Sequence, residues 1–238
     1  MRLSKRLRMN VSMVPEGARV ADIGCDHGYA SIWLVSERVA RTVIALDINE
    51  GPISRAREHV RQAGLETQIA CRRSDGAEKL EPGEVDTLMI TGMGGPLMIR
   101  ILEDAKAVME GVDTLVLQPQ SDLEAVRRYV RELGFDLAEE QACMDEGKYY
   151  FAMCAKRSKQ GEKIEWSEDW QYWYGTYLVQ KKDPILAQYL WKERKKYEQI
   201  LSDLDAGTAQ CERKSELRHK INEIDKCLAH MQFVPGSE

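Results

Sequence analysis

The sequence predicts an α/β fold: a mainly parallel sheet closed by an antiparallel hairpin, with an all-helical segment appended. Three observations predict it. From about residue 18 to residue 157, short β-branched apolar runs alternate with amphipathic helical stretches, which is the mark of βαβ units. The last two runs of that region are separated by a short joint containing Gly147, which suits a hairpin where a plain dinucleotide-binding domain would add another parallel strand. Beyond Gly161 only helical spacings of three and four remain. The chain is therefore expected to divide into residues 1–159 and 160–238.

Taken in order, strands are expected at Arg19–Ile23, Thr42–Leu46, Gln68–Arg72, Val85–Ile90 and Thr114–Leu117, with helices between them at, for example, Pro52–Ala63 and Asp122–Leu133. Gly134 suits the C-terminus of that last helix. Phe135–Ala142 and Tyr149–Ala155 form the closing hairpin around Asp145-Glu146-Gly147-Lys148. In the helical segment, Trp166–Gln180 is rich in aromatics, and Pro184 suits the first turn of a long helix. Leu186, Leu190, Tyr197, Ile200 and Leu204 mark one apolar stripe, and Leu217, Ile221, Ile224, Leu228 and Met231 a second. With a turn at Gly207-Thr208 the two read as an antiparallel coiled-coil hairpin, or as two amphipathic helices packed on the first domain.

Composition sets outer bounds. The 238 residues are 43% hydrophobic and 31% charged with a net charge of −5, ordinary for a globular protein. No run of 18 apolar residues occurs, which argues against a membrane span. The basic N-terminus lacks the apolar core of a secretory signal, so a cytoplasmic protein is expected. Six scattered cysteines without a CxxC pair predict reduced thiols and no metal site. Basic clusters stand out locally: Arg2, Lys5, Arg6 and Arg8, then Lys156–Lys159, Lys192–Lys196 and Arg213–Lys220. Most such clusters are solvated helix faces, and only position promotes one to a binding surface.

The chemistry concentrates at strand ends. Asp22-Ile23-Gly24-Cys25-Asp26-His27-Gly28-Tyr29 runs from the first strand into the first helix. Gly24 permits a tight turn and Gly28 a close approach of the helix N-terminus. Asp26 replaces the middle glycine of GxGxxG and Asp22 precedes the turn. Two carboxylates there repel a pyrophosphate and suit a cofactor bearing an ammonium and a sulfonium. Asp47, followed by Ile48, ends the second strand, where an acid accepts from ribose hydroxyls. Asp75-Gly76 follows the third, where an acid accepts from an adenine amino group. After the fourth strand, Gly92-Met93-Gly94-Gly95 lets a flat ring approach the backbone. After the fifth, the amides of Gln118-Pro119-Gln120 can meet a base edge or cap the next helix.

Together these residues resemble the bacterial tRNA adenine-N1 methyltransferases that modify position 22 (TrmK-like). The resemblance covers nearly the whole chain: Leu3–Leu7, Asp22–Tyr29, Gly51-Pro52, Asp75-Gly76, Gly92–Gly95, Leu117–Pro119, Lys148-Tyr149-Tyr150 and a helical C-terminal domain. Two positions depart from it: Asp47 stands where that family has Glu, and Gln120 where it shows Asn. The resemblance implies a Rossmann-like class I methyltransferase fold and methyl transfer from S-adenosyl-L-methionine to N1 of an adenosine in tRNA. On that reading Asp26 and His27 hydrogen-bond near the methyl or the base, and Tyr29 stacks on the adenine. Asp22, Gly24, Asp26, Gly28, Asp47, Ile48, Asp75, Gly76, Gly92 and Met93 hold the cofactor. Lys5, Arg6, Arg8, Gly94, Gly95 and Gln118 bind the tRNA, by a monomer without metal or membrane. A methyltransferase for a small molecule or protein, and an inactive RNA-binding subunit on the same fold, remain alternatives.

Overall fold

The computed structural model describes residues 3–158, 165–205 and 211–233, and the chain divides into two compact units, Met1–Ile164 and Glu165–Glu238. The expected boundary at 159/160 and the Gly207-Thr208 turn fall outside the described residues.

The first unit carries a seven-stranded sheet, built from β1 (Ala18–Ile23), β2 (Ala40–Asp47), β3 (Ile69–Arg73), β4 (Thr87–Met93), β5 (Thr114–Pro119), β6 (Phe135–Asp145) and β7 (Lys148–Arg157) in the order β3-β2-β1-β4-β5-β7-β6. β1 to β5 pair in parallel, while β7 runs antiparallel to both β5 and β6. The chain builds outward from β1 through β2 to β3, then returns to place β4 on the other side of β1. That reversal opens a crevice at the carboxyl ends of β1 and β4, the ligand position of open α/β sheets. Every residue of β5 is buried, as expected of a strand covered on both faces.

The strand expectations hold with shifted ends. β4 starts later than Val85 and runs on through Gly92 to Met93, with a register irregularity at Thr91/Met93. The hairpin is longer than expected, and Asp145 pairs with Lys148 across a two-residue turn. Glu146 (φ 48°) and Gly147 (φ 76°) both take left-handed backbone, which matches the right-handed strand twist.

The helices of this unit are α1 (Lys5–Val11), α2 (Tyr29–Ser36), α3 (Glu50–Gln62), α4 (Gly95–Asp104), α5 (Lys106–Met109) and α6 (Leu123–Glu132). α1 was not expected. Ser4 caps it by accepting from the Leu7 backbone N–H, and Leu3, Met9 and Val11 enter the core. The Arg127 guanidinium and Glu140 carboxylate, both buried, pair at 2.9 Å and tie α6 to β6.

The second unit is helical: α7 (Asp169–Tyr174), α8 (Thr176–Gln180), α9 (Pro184–Asp205) and α10 (Cys211–Met231). Pro184 opens α9, and the Asp183 carboxylate accepts from the Ile185 and Leu186 amides, each at 2.9 Å. Leu186 and Leu190 of α9 are buried, as are Leu217, Ile224, Leu228 and Met231 of α10. α9 packs along α10, and so do α7 and α8, so the unit is more than a two-helix hairpin.

Several of the basic clusters resolve into structural pairings. Arg157 donates to the Val112 and Met109 carbonyls. Arg194 pairs with Glu198 and Asp225, and both Arg213 and Lys220 pair with Glu216. No helix among the described residues is long and apolar enough to cross a membrane.

Candidate active site

The β1–α2 loop is shaped by left-handed backbone at Gly24 (φ 77°), Asp26 (φ 50°) and Gly28 (φ 74°). The Gly24 and Cys25 amides both donate to the Leu46 carbonyl of β2, at 2.8 and 2.9 Å. Asp is one of the few non-glycine residues that take this backbone, and left-handed positions outside glycine gather at functional sites. The Asp26 amide donates to Asp47 Oδ2 at 3.3 Å, and the Asn49 amide to Asp47 Oδ1 at 2.9 Å. One carboxylate therefore braces both loops at the crevice.

Two adjoining cavities open there. The first, of about 370 Å³, is lined by Asp47, Ile48 and Asn49 after β2, by Ser74, Asp75 and Gly76 after β3, by Met93, and by Leu97 and Arg100 of α4. The second, of about 330 Å³, is lined by Arg6 and Leu7 of α1, Asp22, Cys25, His27, Tyr29 and Gln120. Gly24, Asp26, Thr91 and Gly92 line both and form their common floor.

The first cavity fits S-adenosyl-L-methionine on its donor set. Asp47 and Asp75 present carboxylates from successive strand ends, and the exposed side chains of Ile48 and Leu97 offer apolar walls. Arg100 pairs with Asp75 at 3.2 Å, so that carboxylate shares its capacity with a neighbour. The floor is kept low by glycine. A Cβ on Gly24 would run into the Met93 methyl, whereas at Gly92 it is the φ of 79° that favours glycine, Arg6 Nη1 and Gln120 Nε2 being at ordinary contact distances of 3.6 and 3.7 Å. Among the described residues no group of three or more His, Cys, Asp or Glu could hold a metal ion.

Asp22 forms a wall of the second cavity and is 3% exposed. Burial pushes its carboxyl up to about 6, against the hydrogen bond from Ser31 Oγ at 2.6 Å. A raised carboxyl binds more protons folded than unfolded between its two pKa values, so it costs stability as pH rises from about 4 to 6. Asp22→Asn is expected to stabilise the protein at pH 7.5 by up to about 3 kcal/mol and to flatten that pH dependence. Urea unfolding at pH 4.5 and 7.5 measures both, and equal stabilities at pH 7.5 would refute the assignment.

Aromatic rings gather at the mouth of the second cavity. Tyr29, 41% exposed, stacks on His27 (5.7 Å) and on His59 of α3 (5.1 Å, 17° between planes). His27 Nε2 lies 3.4 Å from Asp26 Oδ1. The Arg6 guanidinium lies over the Tyr150 ring at 5.2 Å, and its backbone N–H donates to Asp145 Oδ2.

Not every expected residue lands in the crevice. Gln118 is fully buried and its Nε2 donates to the Pro119 carbonyl. Its residue type suited a base edge, but it still lies inside a strand covered on both faces, and Gln120, beyond Pro119, lines the cavity instead. Gly94 and Gly95 line neither cavity. A Cβ on Gly95 would stand 2.7 Å from the Ser121 carbonyl, so that glycine serves the packing of α4 on the β5–α6 turn. Gly28 is likewise a packing residue, its Cβ position 3.1 Å from Ala56 Cβ. Lys5 and Arg8 are exposed on α1 and only Arg6 reaches the cavity. Residues not foreseen at the site are Thr91, Arg100, Asn49, Leu97 and His59. Thr91 could have been found by extending the fourth strand, and Arg100 by helical spacing from Leu97, three residues before it.

Known proteins give a consistent likeness. The family model described as tRNA (adenine(22)-N(1))-methyltransferase matches residues 20–226. The tRNA (adenine(22)-N(1))-methyltransferase of Bacillus subtilis is 31% identical over 236 residues, 97% of this chain and 98% of that relative. The crystal structure of the B. subtilis m1A22 tRNA methyltransferase TrmK superposes with a TM-score of 0.86 at 27% identity, covering 95% of this chain and 99% of that one. A Streptococcus pneumoniae structure in complex with S-adenosyl-L-methionine superposes with a TM-score of 0.84 at 29% identity, covering 95% and 100%.

Proposed function

Because the chain belongs to the tRNA (adenine(22)-N(1))-methyltransferase family, whose reaction uses S-adenosyl-L-methionine, we propose that its first cavity holds that cofactor and its second the target adenine. The observation that carries this reading is the common floor of Gly24, Asp26, Thr91 and Gly92, across which a methyl group can pass between two ligands.

Asp47 is placed for the ribose hydroxyls and Asp75 for the adenine amino group, whereas Asp22, expected to hold the cofactor with them, lines the second cavity and not the first. The cofactor supplies an electrophilic methyl on a sulfonium and leaves as a neutral thioether. The adenine N1 lone pair forms the new C–N bond as the C–S bond breaks and its electron pair stays on sulfur. No proton moves in that step, so alignment does most of the work, and good alignment can supply roughly 7–11 kcal/mol. Positive charge appears on the adenine ring, and Asp26 is the carboxylate at the floor that faces it. N1 lies on the pairing edge, so the base must be turned out at a cost of a few kcal/mol. Stacking on Tyr29 offsets part of that cost.

Arg6 stands preset in the second cavity by its stack on Tyr150, where it can pair with a phosphate of the target nucleotide. Lys5 and Arg8, exposed on the same helix, extend that charge along the tRNA backbone. Arg6→Ala is expected to raise KM for tRNA about tenfold while kcat stays within about twofold and the salt dependence of binding weakens. An unchanged KM would remove Arg6 from the tRNA surface. We read the working unit as a monomer and, because tRNA is its substrate, the protein as cytoplasmic.

The reading is tested by nucleoside analysis of tRNA methylated by the protein. N1-methyladenosine, which rearranges to the N6-methyl isomer in mild alkali, is expected. A product methylated initially on N6 or on another base would overturn it.

A further inference from the structure

We propose that His59, a residue of α3 remote in sequence from the first loop, is a positioning residue for methyl transfer, acting through His27 and Tyr29. The inference rests on the proposed role of the second cavity and deepens it.

His59 makes two separable contacts with the wall of that cavity. Its Nδ1 lies 2.9 Å from the His27 backbone carbonyl. A carbonyl only accepts, so the ring carries its proton on Nδ1. Its ring plane also lies nearly parallel to that of Tyr29, at 5.1 Å, with His27 6.1 Å away on a more tilted plane. The hydrogen bond falls on the carbonyl of the His27–Gly28 peptide, flanked by left-handed backbone at Asp26 and Gly28. A loop bent this way needs fixing from outside if Asp26 is to stay at the cavity floor. α3 can reach it because Gly28 lets the loop sit against Ala56, one turn before His59. The stacked ring fixes something different: the orientation of the exposed Tyr29 side chain, the platform on which the adenine would lie. One side chain thus sets both the carboxylate that faces the reacting base and the ring that holds it.

The two contacts predict different kinetic signatures. His59→Phe keeps a flat ring behind Tyr29 and loses the donor. It is expected to lower kcat about tenfold, because small misplacement of reacting groups is costly, with KM for tRNA within twofold of wild type. His59→Asn returns an N–H donor near the Nδ1 position and loses the ring. It is expected to restore kcat to within about threefold of wild type and to raise KM several-fold, in keeping with a weakened base stack. Cofactor affinity, measured by calorimetry, should stay within twofold in both, since His59 does not line the first cavity.

That crossed pattern is the supporting result. Wild-type kinetics in both variants, or a parallel fall in kcat, cofactor affinity and Tm in both, would overturn the inference. Should the wild-type protein leave adenosine 22 unmethylated, the assignment of the acceptor fails by itself. The imidazole nitrogen shifts of His59 then decide this inference, Nδ1–H supporting it and Nε2–H overturning it.

Discussion

Asp26→Asn is expected to lower kcat about hundredfold while cofactor affinity changes less than threefold. The variant isolates charge from shape. Asp26 holds a left-handed φ of 50°, and Asn is among the few residues that take this backbone readily, so the loop and the hydrogen bond its residue-26 N–H donates to Asp47 survive. What is lost is the negative charge at the floor shared by the two cavities. During transfer the adenine ring turns from neutral to cationic, and a fixed carboxylate beside it stabilises the transition state more than the ground state. Removing one preorganised electrostatic partner costs about 10²–10³ in rate where water is excluded, and Asp26, whose side chain is largely exposed in the protein alone, enters that regime once the bound base and tRNA cover it. Single-turnover methylation with saturating cofactor and tRNA measures the step directly. A fall of less than threefold would show that Asp26 only shapes the loop.

Gly24→Ala is expected to weaken cofactor binding at least about hundredfold. Two costs fall on different quantities. Alanine at φ 77° is strained by about 1–2 kcal/mol with or without the cofactor, which lowers Tm. Its Cβ would also run into the terminal methyl of Met93, and Met93 can yield only by changing the lining of the first cavity. The Met side chain is flexible, so the fold should survive with a fall in Tm of a few degrees, and the loss should appear mainly in the dissociation constant. Calorimetric titration with S-adenosyl-L-methionine, alongside thermal unfolding, separates the two. Wild-type affinity in a folded variant would mean that the floor need not be glycine.

The parallel sheet was legible because its strands are short apolar runs spaced by helices, and β5 is buried along its whole length. The hairpin was underestimated at its ends: the expected runs stop at Ala142 and span Tyr149–Ala155, whereas pairing continues through Cys143 and Met144 to Asp145 opposite Lys148, and past Ala155 to Lys156 and Arg157, where the charged residues carry no hydropathy signal. α1 was missed because seven residues with three basic ones read as a charged tail, although a Ser4 cap before Leu7 and Val11 was there to be seen. In the site, Asp22, Gly24, Asp47 and Asp75 could be placed because each ends a strand on the crevice side. Gln118 could not be told from Gln120 by residue type, since the outcome depended on where β5 stops. Gly94 and Gly95 suggested an approaching ligand, but what approaches is the turn at Ser121 and Asp122. His59 left no mark at all in the linear sequence. It joins the site only through the packing of α3 on Gly28.

The central claim is that this chain methylates one adenosine of tRNA at N1 across the floor of two adjoining cavities. It is tested most directly by labelled methyl transfer to two unmodified bacterial tRNA transcripts that differ only at position 22. Adenosine at that position is predicted to accept close to one methyl group per molecule, as N1-methyladenosine, and guanosine there to accept none. Equal incorporation into both transcripts, or none into either by protein that still binds the cofactor, would contradict the account.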